Sequence, residues 1–209
     1  MQHIPVSSYA PVVRIIDDDP DIRRALVDLL KSVDIEAVAY ESPKALQASD
    51  DLLSAGCLVL DVRLSGMSGL DFQSALQRDG NRIPVIVMTG HADIPMSVRA
   101  MKAGAIDFLT KPFRDQDLID AVAGAIERDE VLRKESQSRT ALEKLLDSLT
   151  PREREVMKAV VNGSMNKQIA AEFGISQVTV KLHRSNVMRK MQARSLADLV
   201  RKAEILNYS

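Results

Sequence analysis

The sequence predicts two folds in one chain. An α/β unit with a parallel five-stranded sheet occupies roughly the first 127 residues, and a small all-α unit follows. Three observations predict this. Short apolar runs alternate five times with helical patterns, which implies a parallel sheet covered by helices on both faces. After Thr150 only helical spacing remains, punctuated by capping residues. Charge also divides: Lys144 to Ser209 holds 12 Lys and Arg against 6 Asp and Glu, leaving 16 against 23 in the remainder. An acidic front and a basic back point to different partners, with nucleic acid the candidate for the basic end.

The first strand is Val12 to Ile16, an apolar run broken by Arg14 and followed by Asp17, Asp18 and Asp19. Pro20 opens a helix where its missing N–H costs nothing, and Ile22, Leu26, Leu29, Leu30 and Val33 recur at helical spacing. Ile35 to Tyr40 is a second strand. Ser42 caps a helix expected from Pro43 to about Leu53. Cys57-Leu58-Val59-Leu60-Asp61 is the central element: a continuous apolar run reads as a strand buried on both faces, and it ends in a single carboxylate. Gly66 and Gly69 lie in the loop beyond. A helix follows to about Arg78, then a strand from Pro84 to Thr89, a helix marked by Ile94, Val98 and Met101 that Gly104 stops, and a strand from Ile106 to Leu109. The last helix of this unit runs from about Asp115 to Glu127.

Residues 128–143 are charge-dense without Gly or Pro and read as a helical linker. Leu142, Leu145, Leu146 and Leu149 continue it as an amphipathic stripe. Thr150-Pro151-Arg152-Glu153 starts a helix to about Val161. Asn166 to Phe173 is a short helix ended by Gly174. Ser176 caps a helix from Gln177 to about Met191, and Ser195 caps the last one, to about Leu206. The expected domains are therefore 12–127, a linker at 128–143, and 144–209.

Composition narrows the classes. One Cys and three His exclude an internal disulfide framework and make a Cys/His metal cluster implausible, which fits a reducing cytoplasm. Cys57 reads as a small core hydrophobe. No apolar stretch approaches a membrane span, and Met1 to Pro11 reads as a frayed leader without the pattern of a signal peptide.

Right-handed crossovers bring all strand ends of a parallel sheet to one edge. Asp17, Asp18, Asp61, Thr89 and Lys111 each fall at such an end. The carboxylates suit a hard cation such as Mg²⁺ or Mn²⁺, Lys111 and Thr89 suit phosphate oxygens, and Asp61 suits a nucleophile that becomes an aspartyl phosphate. Plainer alternatives are Asp61 as a turn cap and Lys111 as a salt bridge relieving carboxylate repulsion.

Asp17-Asp18, Asp61, Thr89-Gly90 and Lys111-Pro112-Phe113, in this order, resemble the receiver domain of two-component response regulators. Val87 to Asp93 and Met101 to Phe108 are similar in particular to nitrogen-fixation regulators of the FixJ type. The likeness covers about Val12 to Arg128. It implies a flavodoxin-like sheet of order 2-1-3-4-5 and phosphorylation of Asp61 by a cognate histidine kinase. It also implies Mg²⁺ (or Mn²⁺) held by Asp18 and Asp61, by Asp17 through water and by the backbone carbonyl of Arg63. Thr89 and Lys111 would bind the phosphoryl group, Phe108 would act as an aromatic switch, and Lys111-Pro112 would be cis. Taken alone, Phe108 reads rather as a core aromatic at the end of strand five. Leu64-Ser65 departs from the family's usual Met-Pro, and Arg63 and His91 occupy positions that tune phosphoryl lifetime.

In the basic end, Val180, Leu182, Val187 and Met188 are interleaved with Lys181, His183, Arg184, Arg189 and Lys190. The apolar residues are expected to face the small core and the basic ones to meet phosphates and base edges, as the second helix of a helix-turn-helix, or else to form a solvated charged face. Leu149 to Val156, Gly163 to Ala170, and Ile175-Ser176 with Thr179-Val180 and His183 resemble the LuxR-type DNA-binding domain, over about Ser148 to Leu206. Here Gln177-Val178 replaces a frequent Pro-Arg, and Lys181 a common Glu. The likeness implies base contacts from Lys181, which suits guanine acceptors, Leu182, which suits a thymine methyl, and Ser185, shorter here than in many relatives. It also implies phosphate contacts from Lys167, Thr179, Arg184 and Lys190, and dimer contact through the last helix, where Leu196, Leu199 and Val200 are equally core candidates.

Together these features imply a phosphorylation-controlled transcription factor that is not an enzyme. Its expected partners are the kinase, double-stranded DNA and a second copy on phosphorylation, with RNA polymerase a further partner such a regulator can engage. Two other readings are weaker. An Mg²⁺-dependent hydrolase of the haloacid-dehalogenase type needs an acid where Arg63 stands, and a dinucleotide-binding enzyme needs a Gly-rich turn after the first strand. A receiver serving only as a phosphate-independent dimerisation module leaves the complete acidic set unexplained.

Overall fold

The structure, a computed structural model, describes residues 10–91 and 93–208. All but the last two residues of the expected leader lie outside them. The chain forms two compact units, one ending at Arg133 and one beginning at Lys134.

In the first unit, Val12–Ile16 (β1), Glu36–Tyr40 (β2), Gly56–Asp61 (β3), Val85–Thr89 (β4) and Ala105–Thr110 (β5) pair in parallel in the order 2-1-3-4-5, as the resemblance implied. The register aligns the carboxyl ends: Ile16 lies opposite Tyr40 and Leu60, Asp61 opposite Met88, and Thr89 opposite Thr110. β3 is central, and Cys57, Leu58, Val59 and Leu60 are fully buried.

The five helices are Pro20–Lys31 (α1), Pro43–Gln47 (α2), Gly69–Arg78 (α3), Ile94–Lys102 (α4) and Asp115–Asp147 (α5). Alternation along the strands sorts them into two layers. Cys57 and Val59 pack with Val13, Ile15, Ile86 and Met88 against Leu26 and Leu30 of α1 and Leu118 and Val122 of α5. Leu58 and Leu60 pack with Ile16, Val85 and Val87 against Leu46 of α2, Leu70 and Phe72 of α3 and Ala100 of α4. Arg14, which interrupts the first apolar run, is also fully buried: its Nη1 donates to the carbonyls of Val12 (2.8 Å) and Ala55 (3.0 Å).

Two expectations change. The helix from Pro43 ends at Gln47, and a separate 3-10 turn spans Asp50–Leu53. Ser49 divides them: its hydroxyl donates to the Leu46 carbonyl and accepts the Asp51 N–H, offering the backbone an alternative to a continued helix. The expected linker residues are helical throughout and continue α5, and the boundary between units falls within it.

The second unit contains Pro151–Val161 (α6), Asn166–Phe173 (α7), Gln177–Lys190 (α8) and Leu196–Ile205 (α9). The caps are those the sequence indicated. Thr150 and Glu153 form a capping box, Gly174 closes α7 at φ +64°, and Ser176 and Ser195 each accept a backbone N–H. Val156, Met157, Ile169, Val180, Val187, Met191 and Leu199 fill the core.

Candidate functional site

The carboxyl edge of the sheet gathers the expected acids around one ammonium. Asp17 follows β1 and Asp61 ends β3, and both are buried. Lys111 Nζ donates to Asp17 Oδ2 (2.6 Å) and Asp61 Oδ1 (2.7 Å). The other oxygens are held by backbone: Asp17 Oδ1 accepts the Asp19 N–H (2.9 Å) and Asp61 Oδ2 accepts the Arg63 N–H (2.6 Å). Asp19 caps α1, so the acidic triplet divides its work between site and helix. Lys111-Pro112 is cis.

Asp18 is exposed and turned differently, its Oδ2 accepting the Ser65 hydroxyl (2.8 Å). Asp17 and Asp61 converge on Lys111 while Asp18 faces the loop, and among the described residues no three acidic, His or Cys side chains form a ready metal cluster. Lys111 makes ion pairs to both carboxylates, which the salt-bridge and the phosphate-binding readings both require. The loop from Val62 to Ser68 and Asp18 line an open cleft of about 500 Å³ beside the acids. Gly69, which starts α3, abuts the site: an added Cβ would lie 2.0 Å from the Asp61 carbonyl oxygen, so only glycine lets the helix begin there.

Burial pushes the Asp61 carboxyl above its ordinary value, and Asp17 adds to this, while the Lys111 hydrogen bond and charge pull it down only in part. For Lys111 burial acts downward, but its bonds to both carboxylates overcome that and raise the ammonium.

Thr89 is buried at the end of β4, its Oγ1 engaged with the His91 backbone N–H and carbonyl (3.3 Å each). Phe108 is half-buried and, like Leu64 and Met96, packs against the cluster of Ile16, Leu58, Leu60, Val85 and Val87. Sequence reasoning missed Ser65 as a partner of Asp18. The available signal was a hydroxyl in the loop after the central acid.

On the second unit, Lys181, Leu182 and Ser185 are exposed on α8, and Lys167 is exposed on α7. Leu182 lies outside the core expected for it, because the buried side of the helix is taken by Val180 and Val187. Thr179 shares a 2.8 Å hydrogen bond with Ser176 at the start of α8, and Arg184 donates to Asn166 Oδ1 (2.8 Å). Lys190, another expected phosphate contact, is part-exposed: its amine pairs with the buried Glu153 carboxylate (2.6 Å) and donates to the Ser148 carbonyl (3.1 Å), so it ties α8 to α6. Leu199 of α9 is core, whereas Leu196 is exposed.

The receiver domain of response regulators matches residues 13–123, and the luxR family of bacterial regulatory proteins matches residues 147–203. Nodulation protein W of Bradyrhizobium diazoefficiens is 51% identical over 203 residues, covering 97% of this chain and 89% of that protein. The transcriptional regulatory protein FixJ of Azorhizobium caulinodans is 44% identical over 191 residues, covering 91% and 90%. Among solved structures, the response regulator StyR aligns with a TM-score of 0.82 at 44% identity, covering 94% of this chain and 99% of that one. Full-length FixJ from B. japonicum aligns at 0.57 and 38% identity, covering 94% and 97%. With a receiver fold, a LuxR-type helical unit and full-length regulators as relatives, the chain belongs to the FixJ-like two-component response regulators and is a DNA-binding transcriptional regulator.

Proposed function

We propose that Asp61 is the phosphoacceptor through which a cognate histidine kinase controls DNA binding by this regulator. The observation that carries this is Lys111 Nζ bridging Asp61 and Asp17 at the carboxyl edge of the sheet. A carboxylate oxygen of Asp61 attacks phosphorus, the bond to the donor's leaving group breaks, and the electron pair departs with that group. Lys111, already beside Asp61, offsets charge on the transferred group.

A hard divalent cation would draw on oxygen donors alone, Asp17, Asp18, Asp61 and the Arg63 backbone carbonyl, with Asp18 turning from Ser65 to join the two acids already gathered on Lys111. Mg²⁺ (or Mn²⁺) held there would neutralise charge between carboxylate and phosphoryl group. Thr89 then exchanges its His91 partners for a phosphoryl oxygen, and Phe108 turns inward with it. Arg63 and His91 stand at the sequence positions that tune phosphoryl lifetime in such regulators, and a cation at either contacts phosphate or obstructs water.

The output surface begins with α4 and β5. Ile94 is 80% exposed, Val98 and Met101 follow it at helical spacing on α4 and are exposed, and Ile106 is exposed on β5. This face pairs two phosphorylated copies. The working division is receiver 12–127, helical linker 128–143 and DNA-binding domain from 144. α8 enters the major groove, Lys181, Leu182 and Ser185 meet base edges, and Lys167, Thr179 and Arg184 meet phosphates. DNA-bound dimers engage RNA polymerase in the cytoplasm. No described helix is long and apolar enough to cross a membrane.

The test is labelling by acetyl phosphate with Mg²⁺. Asp61→Asn abolishes labelling, and the phosphorylated wild type sediments as a dimer and shifts DNA at lower concentration. Retained labelling in Asp61→Asn refutes the assignment. Labelling with no change in either assembly or DNA affinity refutes the coupling.

A further inference from the structure

α8 shows solvent a single stripe of unusual chemistry. Val178, Lys181, Leu182 and Ser185 are exposed and recur at i, i+3, i+4 and i+7, so they share one side of the helix. Val180 and Val187, half a turn round, are buried in the core. Val178 is 75% exposed and Leu182 60% exposed, so two apolar side chains stand in water with a cation between them in sequence and a hydroxyl beyond. Arg189 continues the stripe, and Lys167 of α7 is exposed.

An apolar pair interleaved with Lys181 does not suit a continuous apolar partner, because docking there would bury the ammonium. It suits the major-groove edge of DNA, where thymine 5-methyl groups stand beside guanine O6 and N7 acceptors. The flanking cations complement the phosphates. Val178 sits in the first turn of α8, the part of a recognition helix that meets base edges.

We propose that Val178 is a sequence-reading residue, packing with Leu182 against the methyl groups of two thymines while Lys181 donates to a guanine between them. The inference rests on α8 being the helix that enters the groove. Val178 and Leu182 lie about one turn apart on the same side of α8, about 6 Å along its axis, so both thymines and the G·C pair fall within one half-site, read across both strands.

The experiment starts from DNA selected by the phosphorylated full-length chain. Each thymine is replaced in turn by deoxyuridine, which removes only the 5-methyl group, and affinity is measured by fluorescence anisotropy. Two positions per half-site lose about fourfold, the effect of withdrawing one methyl-sized group from burial, and the others do not change. Val178→Ala, which removes no core contact, loses sensitivity to deoxyuridine at one of the two positions and keeps it at the other. Wild type indifferent to deoxyuridine everywhere overturns the proposal, as does a Val178→Ala loss uniform across all sequences. Val178→Asp changing assembly without changing DNA affinity also overturns it, by making the patch a protein contact. Lys181→Ala separates the two levels. If it relaxes specificity while deoxyuridine has no effect, α8 is in the groove and only thymine reading fails. If it changes nothing, the assignment of α8 fails.

Discussion

Asp129 fastens the continuation of α5 to the receiver sheet, and its removal has a calculable cost. The side chain is buried, and Oδ2 accepts the Gly56 N–H (2.8 Å) and the Arg133 Nε–H (2.6 Å). Arg133 also donates to the Ser54 carbonyl. The Gly56 backbone has little freedom to find another partner: it holds φ +125°, and even a Cβ there would lie 2.0 Å from the Val12 carbonyl oxygen. Asp129→Ala therefore leaves a buried amide unpaired, at about 1–3 kcal/mol. Losing a charge-assisted bond to the part-exposed Arg133 adds about 1 kcal/mol. The expected loss is about 2–4 kcal/mol, a large share of a typical domain's 5–15 kcal/mol. Asp129→Asn keeps an acceptor for Gly56 and loses only the charge, at about 1 kcal/mol. Amide exchange at Gly56 under native conditions, alongside urea unfolding, measures both. Equal costs for Ala and Asn, or an Ala cost below about 0.5 kcal/mol, refute the idea that this amide depends on Asp129.

Three further outcomes are expected. Asp61 has a folded-state carboxyl raised by burial, so its ionised form opposes folding: the penalty is absent below the ordinary value of 3.8 and develops as pH rises through the raised one. Asp61→Asn should melt higher than wild type near neutral pH, with the gain disappearing in acid, and an equal or lower melting temperature at pH 7 contradicts this. Glu153 is the opposite case. Its hydrogen bond from Lys190 lowers the carboxyl below its ordinary 4.5, so the stabilisation is complete above that value and is lost as pH falls through the depressed one. Lys190→Met should cost the second unit about 2 kcal/mol at neutral pH and remove the acid-side decline in thermal melts. A variant melting like wild type at both pH values would show that the pair does not hold the second unit together. Gly69→Ala forces a Cβ against the Asp61 carbonyl, costing about 1–3 kcal/mol. It should slow acetyl phosphate labelling by roughly tenfold or more, since small displacements of a reacting group are expensive, and an unchanged labelling rate shows that the loop relaxes freely.

Particular residues show how far sequence reading reached. β3 was legible because burial on both faces leaves a continuous apolar signature. The helical caps were legible because Thr150, Gly174, Ser176 and Ser195 act on neighbouring backbone, within the range that sequence displays. The break after Gln47 was not, because Ser49 gives no sign of whether its hydroxyl will continue a helix or divide it. The family resemblance supplied strand order and residue roles that periodicity alone does not contain.

By itself the sequence determined that acids, a hydroxyl and a lysine meet at one sheet edge, because right-handed crossovers leave parallel strands no other arrangement. It also determined that a basic helical unit follows. Only the tertiary structure decided which way each side chain turns. Asp17 and Asp61 share Lys111 while Asp18 goes to Ser65. Lys190 answers a buried Glu153, while Lys181 stays in solvent. Asp129 and Arg133 carry the hold of the receiver into residues expected to be linker. The physical reason is the same in each case: a charge is placed by its partner, and partners from distant segments meet only when the chain has folded.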